Sequence, residues 1–353
     1  MKILLLGGTG VIGSYLARKY ADLGIETYIT SRRERDSNGS IHYIKGNAMD
    51  QNFLYQVCKL QHWDAIVDFM SYKTDEFRDR LDTLLSSTKQ YVFISSARVY
   101  GNEEHPIKET SPRLLDCSKD EEFLKTDEYS LTKARQENLL LQSGLTNYTI
   151  VRPCITYGPE RLQLGVMEKE EWLYRALHGR TIIFCKEIMD AITTMTTGED
   201  ICKALYNIVG NPASIGEIYH LTSAHHRTWA EIYDIYKNAI FETTGIQPKI
   251  KIVSIDDFLK CRYAYLKYQV IYDRVYNRDY NVEKENSLTD VGSFTQPEVG
   301  LHDCIKNFVS RPCYKNVNWV LEARKDKLAG EFTPINEIKG IRNKINYIIN
   351  RII

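Results

Sequence analysis

The first 150 residues alternate short apolar runs with amphipathic stretches. The runs Lys2–Leu6, Glu26–Thr30, Ala65–Phe69, Tyr91–Ser95 and Thr149–Arg152 predict strands. Between them, apolar positions recurring at helical spacing predict helices over Val11–Leu23, Asn52–Leu60, Thr74–Ser86 and Tyr129–Ser143. Strands joined through helices run parallel with right-handed crossovers, so the expected fold is α/β, a Rossmann-like doubly wound parallel sheet. From about residue 156 the rhythm stops, and a strand-rich, tyrosine-rich smaller lobe is expected there. The expected layout is a dinucleotide-binding domain at 1–155 with a sheet return near 190–224, its strand near His220–Thr222. A substrate-binding lobe at 156–189 and 225–312 and a C-terminal extension at 313–353 complete it.

That extension carries isoleucines at 335, 338, 341, 345, 348, 349 and 352, a helical stripe, with Lys339, Arg342, Lys344 and Arg351 among them. A basic amphipathic helix can lie on a membrane surface. Docking of the stripe on the parent domain or on a second subunit is the preferred expectation.

Composition narrows the function classes. The 353 residues hold 46 Lys+Arg against 46 Asp+Glu, which argues against a nucleic-acid partner. No apolar run approaches a membrane-spanning length, and glycines interrupt the N-terminal run where a signal peptide would continue. The eight cysteines form no C-x-x-C pair and no zinc spacing. Scattered thiols of this kind fit a reducing cytoplasm, and no metal site is expected.

Gly7-Gly8-Thr9-Gly10-Val11-Ile12-Gly13 follows a predicted strand and opens a predicted helix. That context gives the three-glycine pattern meaning: a tight turn at Gly7, close pyrophosphate approach at Gly10, and helix–strand packing at Gly13. Gly7, Thr9, Gly10, Val11, Ile12 and Gly13 are therefore candidate cofactor contacts. After the second strand, Ser31 stands where an acid would grip the ribose of NAD, and Arg32 and Arg33 follow. Guanidinium groups suit a 2′-phosphate, so NADP is expected, with NAD the alternative. Asp68-Phe69-Met70 ends its strand at the same sheet edge, where lining a cofactor and simple packing both explain it.

Tyr129 and Lys133 sit at i and i+4 on one helix face. A phenol is a poor acid at neutral pH unless its anion is stabilised, and a lysine one turn away does that. Ser95-Ser96 ends a strand at the carboxyl edge of the sheet, where open α/β folds bind ligands.

Together these motifs resemble the extended short-chain dehydrogenase/reductases that act on nucleotide sugars. The resemblance rests on Gly7-x-x-Gly10-x-x-Gly13, Ser95-Ser96-Ala97-Arg98-Val99-Tyr100-Gly101, Tyr129-x-x-x-Lys133 and Arg152-Pro153-Cys154-Ile155-Thr156-Tyr157-Gly158-Pro159. It implies a catalytic set of Ser96, Tyr129 and Lys133. Further cofactor contacts are implied at Asn47, Ser95, Lys133, Pro153 and Ile155, and substrate contacts at Ser96 and Tyr129. Dehydratases of the family carry an Asp-Glu pair where this chain has Ala97 and Arg98, which disfavours dehydration. The arginine that grips the substrate diphosphate is replaced near Thr193, leaving Arg98, Arg161, Arg180 or Arg274 for the role. Arg98 and Arg161 enter the candidate substrate set. The resemblance extends to reductases of 4-keto-6-deoxyhexoses, which implies an NADPH-dependent reduction at C4 by a homodimer. Two alternatives stay open: a 4-epimerase with tightly held NAD, and a non-catalytic RNA-binding or scaffold member of the fold.

Overall fold

The computed structural model describes residues 1–352. The chain divides into two compact units. One comprises 1–156, 196–224 and 280–294, and the other 157–195, 225–279 and the chain from 295 onward.

The first unit is built on seven parallel strands: β1 (Lys2–Leu6), β2 (Glu26–Ser31), β3 (Ile41–Lys45), β4 (Ala65–Asp68), β5 (Tyr91–Ile94), β6 (Tyr148–Pro153) and β7 (Ile218–Leu221). Their order is β7-β6-β5-β4-β1-β2-β3. Helices α1 (Val11–Asp22), α2 (Gln51–Cys58), α3 (Thr74–Ser86), α4 (Tyr129–Leu141) and α5 (Gly198–Ile208) accompany them. Side chains of β1 alternate between two apolar layers. Ile3 and Leu5 pack with Leu16, Tyr20 and Leu205, whereas Leu4 and Leu6 pack with Leu54, Trp63 and Phe77. A strand buried on both faces reads as a continuous apolar run, which is why Ile3-Leu4-Leu5-Leu6 was legible. Chain order reverses between β1 and β4, and such a switch point opens a crevice at the carboxyl ends of the strands.

β3 has no counterpart among the expected strands. It is the edge strand, half-buried, and it follows the polar Ser37-Asn38-Gly39-Ser40 segment, so its apolar signal is weak. Residues 280–294 group with this unit, far along the chain from its other parts. The amide of Asn281 donates to the Ile107 carbonyl at 2.7 Å, and the buried Glu285 carboxyl accepts from the Thr222 amide at 3.1 Å.

In the second unit helices predominate, a departure from the strand-rich expectation. The helix Trp229–Thr244 begins with a capping box between Thr228 and Glu231 and ends at Gly245. Its Ile232, Tyr233, Tyr236, Ala239 and Ile240 recur at helical spacing and are buried. Strands Thr181–Cys185 and Lys249–Val253 pair in parallel, and Ile192–Thr194 pairs antiparallel with His226–Thr228. Fully buried Arg175 ties this unit together through Glu322 and Asp326, each at 2.8 Å, and Glu331 at 3.1 Å.

The C-terminal stripe is corrected in two ways. The helix runs Ile341–Ile352, after Gly340, so Ile335 and Ile338 lie outside it. Its buried residue is Tyr347, whose hydroxyl donates to Asp326 at 2.6 Å, while the helix isoleucines stay exposed. Ile338 is buried with Trp319 and Ala323, and Ile335 packs against them, so the start of the stripe docks on the parent domain while the isoleucines of the helix do not. No helix of the described residues is long and apolar enough to cross a membrane.

Candidate active site

β1 ends in the glycine loop. Gly7 adopts a φ of +68°, a left-handed conformation that favours glycine, and its amide donates to Thr30 Oγ1 at 2.8 Å. At Gly13 an added Cβ would come within 2.4 Å of the Gly8 carbonyl oxygen, so close helix–strand packing requires glycine there. Gly10 differs, because an added Cβ would meet nothing within 4 Å, and no side chain caps α1 at this point. An uncapped helix start beside open space suits a pyrophosphate.

A cavity of about 400 Å³ opens here, lined in part by Gly7, Thr9, Ser31, Arg32 and Asn47. Thr30, Gly46, Ala48, Met49, Met70 and Ser71 also line it, and none of these stood among the expected contacts. Only Met70 carried a signal, as part of the strand-end segment Asp68-Phe69-Met70. Ser31 is buried and donates to the Arg33 carbonyl at 2.7 Å, which shapes the turn that leaves Arg32 and Arg33 exposed. These residues fit a dinucleotide. Ile12 packs against the core beside the sheet, and Val11 is exposed at the start of α1. Pro153 and Ile155 lie half-buried at and just beyond the end of β6.

The two serines after β5 have different partners. Ser95 is buried, and its hydroxyl donates to Glu137 at 2.6 Å. Glu137 also binds Arg152 at 2.7 and 2.8 Å and Arg113 at 3.1 Å. Burial pushes the Glu137 carboxyl up, but Arg152, Ser95 and Arg113 outweigh it and hold the group below the usual carboxylate range. Among the described residues, Ser96 Oγ accepts from the local Arg98 amide alone, at 3.2 Å, at the head of the 3₁₀ turn Ala97–Val99. Its hydroxyl hydrogen is free to turn toward a substrate oxygen.

Tyr129 and Lys133 occupy the first turns of α4. Tyr129 is 40% exposed, with the Arg98 guanidinium 5.2 Å from its ring centroid. Lys133 is buried, and its ammonium donates to the Ile94 carbonyl at 2.8 Å and lies 4.6 Å from the centre of the Phe93 ring. Burial lowers the Lys133 pKa to about 8, against the opposing pull of Asp68 and Glu137. Asp68, buried at the end of β4, is pushed up to about 6 by burial, although the Met70 amide and the Tyr91 hydroxyl both donate to it.

The arginines separate by what they hold. Arg98 pairs with Glu128, and Arg161 lies exposed in the second unit, 3.9 Å from Glu168. Arg180 is committed to Glu337 and to the face of Tyr174. Arg274 binds Asp273 and the Gly165 carbonyl, and both it and Arg180 are buried.

The fold and these motifs define a class. The chain belongs to the NAD dependent epimerase/dehydratase family, which matches residues 3–222. Among curated proteins it is 27% identical over 244 residues to the chloroplast stem-loop binding protein of 41 kDa b of Arabidopsis thaliana, covering 65% of this chain and 60% of that one. It is 26% identical over 181 residues to a UDP-N-acetyl-alpha-D-glucosaminuronate decarboxylase of Bacillus cytotoxicus, covering 45% and 55%. The chain thus spans less than two thirds of the length of either relative. In fold it is similar to the dTDP-glucose 4,6-dehydratase of Bacillus anthracis in complex with NAD, with a TM-score of 0.66 at 18% identity over 88% of this chain and 97% of that one.

Proposed function

We propose that the protein is an NADPH-dependent reductase of a nucleotide-linked 4-keto-6-deoxyhexose, of the type that converts dTDP-4-dehydro-6-deoxy-D-glucose to dTDP-D-fucose for surface polysaccharide. The observation that carries this reading is the turn after Ser96. Ala97 and Arg98 stand where a dehydratase needs an acid and a base, and Arg98 is held by Glu128. A Ser-Tyr-Lys set without that pair is suited to transferring hydride and proton at one carbon. The exposed Arg32 and Arg33 beside the nucleotide cavity support NADPH.

When bound, NADPH supplies the hydride. Ser96 holds the C4 carbonyl oxygen through its free hydroxyl hydrogen. Tyr129 donates the proton to that oxygen, and the Lys133 ammonium stabilises the resulting phenolate. Arg98 is the cation this reading assigns to the substrate diphosphate. A homodimer in the cytoplasm is part of the proposal, and eight free cysteines support the reducing compartment. Tyr129→Phe tests the mechanism. Turnover should fall by about two to four orders of magnitude with NADPH affinity retained, and near-normal turnover would refute the role.

A 4-epimerase with tightly held NAD is the second reading, which the NAD dependent epimerase/dehydratase family supports. The purified protein would then carry NAD, and sugar would interconvert without net consumption of cofactor. The name of the chloroplast relative raises stem-loop binding as a third reading, against which the formal net charge of zero weighs.

A further inference from the structure

The helix Ile341–Ile352 is turned the wrong way round for a helix of an isolated globular unit. At about 100° per residue, Ile341, Ile345, Ile348, Ile349 and Ile352 fall within one arc of roughly 100°, and Tyr347 lies nearly opposite. The exposures follow that division. Tyr347 is fully buried against the helix Trp319–Ala329, while the five isoleucines are between 38% and 78% exposed. A helix on a protein surface normally buries its apolar stripe and shows its polar face. Here the docked side is anchored by polar contacts, Tyr347 to Asp326 at 2.6 Å and Arg351 Nε to the Glu331 carbonyl at 2.8 Å. The apolar side is left for something else to cover.

Charge says what kind of surface covers it. From 339 to 352 the chain holds Lys339, Arg342, Lys344 and Arg351 and no acid. The hollow beside Ile349 adds Lys260, Arg324 and Lys327 against a single acid, Asp257. Two copies meeting through this face about a two-fold axis would set the same cations against one another. An anionic lipid surface takes up both features, with isoleucines at the acyl boundary and cations among the phosphates. We propose that this isoleucine face binds the surface of an anionic lipid bilayer, a role independent of the reaction proposed above.

The test is co-sedimentation of the full chain with vesicles of phosphatidylcholine alone and of phosphatidylcholine mixed with phosphatidylglycerol. Binding should be at least about tenfold tighter on the mixed vesicles and should fall with added salt. Ile345→Asn combined with Ile349→Asn, and separately Lys339→Glu combined with Arg342→Glu, should each lower binding by about tenfold or more. All four positions are exposed, so the thermal unfolding midpoint should hold and serves as the folding control. Failure to bind mixed vesicles, or equal binding by the variants, would overturn the proposal. So would a change in the mass of the free protein caused by the isoleucine variant alone, which would assign the face to a second copy.

Discussion

The hydroxyl of Ser95 lies 2.6 Å from Glu137 Oε1, inside a buried cluster that also holds Arg152 and Arg113. Adjacent serines at one strand end therefore have different partners, Ser95 a buried carboxylate and Ser96 a local turn amide. Ser95→Ala removes a donor from a buried carboxylate and should cost about 1–3 kcal/mol of stability. Ser96→Ala loses only a local turn contact, and should leave the denaturation midpoint nearly unchanged while turnover falls by about a hundredfold. Chemical denaturation and steady-state rates on the two variants read this directly, and the reverse pattern would exchange the roles.

Burial lowers the Lys133 pKa to about 8, which predicts an alkaline limit to activity. The ammonium should be lost, and turnover with it, as pH rises through that value. Asp68 is the group that most strongly pulls this pKa upward. Asp68→Asn should therefore move the alkaline limb to lower pH. A limb that stays in place would remove Asp68 from the site's electrostatics.

The proposed preference for NADPH rests on Arg32 and Arg33. Arg32→Ala with Arg33→Ala should weaken NADPH by about ten- to a hundredfold, the value of charge-assisted hydrogen bonds to a 2′-phosphate, and leave NADH nearly unaffected. Fluorescence titration with both cofactors checks it. Equal weakening of both would mean that the arginines shape the turn and do not read the phosphate.

His220 gives the fold an acid sensitivity. It is fully buried, with Nε2 2.7 Å from the Tyr100 hydroxyl and Nδ1 3.1 Å from the Asn281 carbonyl. Arg152 donates to that same hydroxyl at 2.6 Å, so Tyr100 donates onward to a neutral imidazole. Burial lowers the His220 pKa to about 4. The unfolded chain takes the proton first, so stability present above about pH 6.5 is lost as pH falls toward 4. Asp68 acts oppositely: its pKa is raised to about 6, so its contribution is present at low pH and lost as pH rises through that value. Between about pH 7 and pH 5, His220→Gln should lose less stability than the parent protein and Asp68→Asn should lose more.

How much was legible follows from the physics of each element. Strands buried on both faces, such as β1 and β4, are continuous apolar runs and stood out, as did the glycine loop that follows β1. The edge strand β3, half-buried with His42 and Lys45 in it, gave no such run. Tyr129 and Lys133 stood out because they lie one helical turn apart, and Ser96 because it follows the apolar run of β5. The difference in partners between Ser95 and Ser96 was not legible, since it depends on Glu137, 42 positions away. Nor could the spacing of the isoleucines say which way the last helix faces. Tyr347 decided that through Asp326, a partner on another helix.

The most direct test is to incubate the purified protein with NADPH and a small panel of nucleotide-linked 4-keto-6-deoxysugars, following the near-ultraviolet absorbance of the reduced nicotinamide alongside the sugar product. The reductase reading requires one NADPH consumed for each 4-hydroxy sugar formed, with dTDP-4-dehydro-6-deoxy-D-glucose among the substrates turned over. Sugar interconversion without loss of absorbance, or no consumption with any member of the panel, would contradict it.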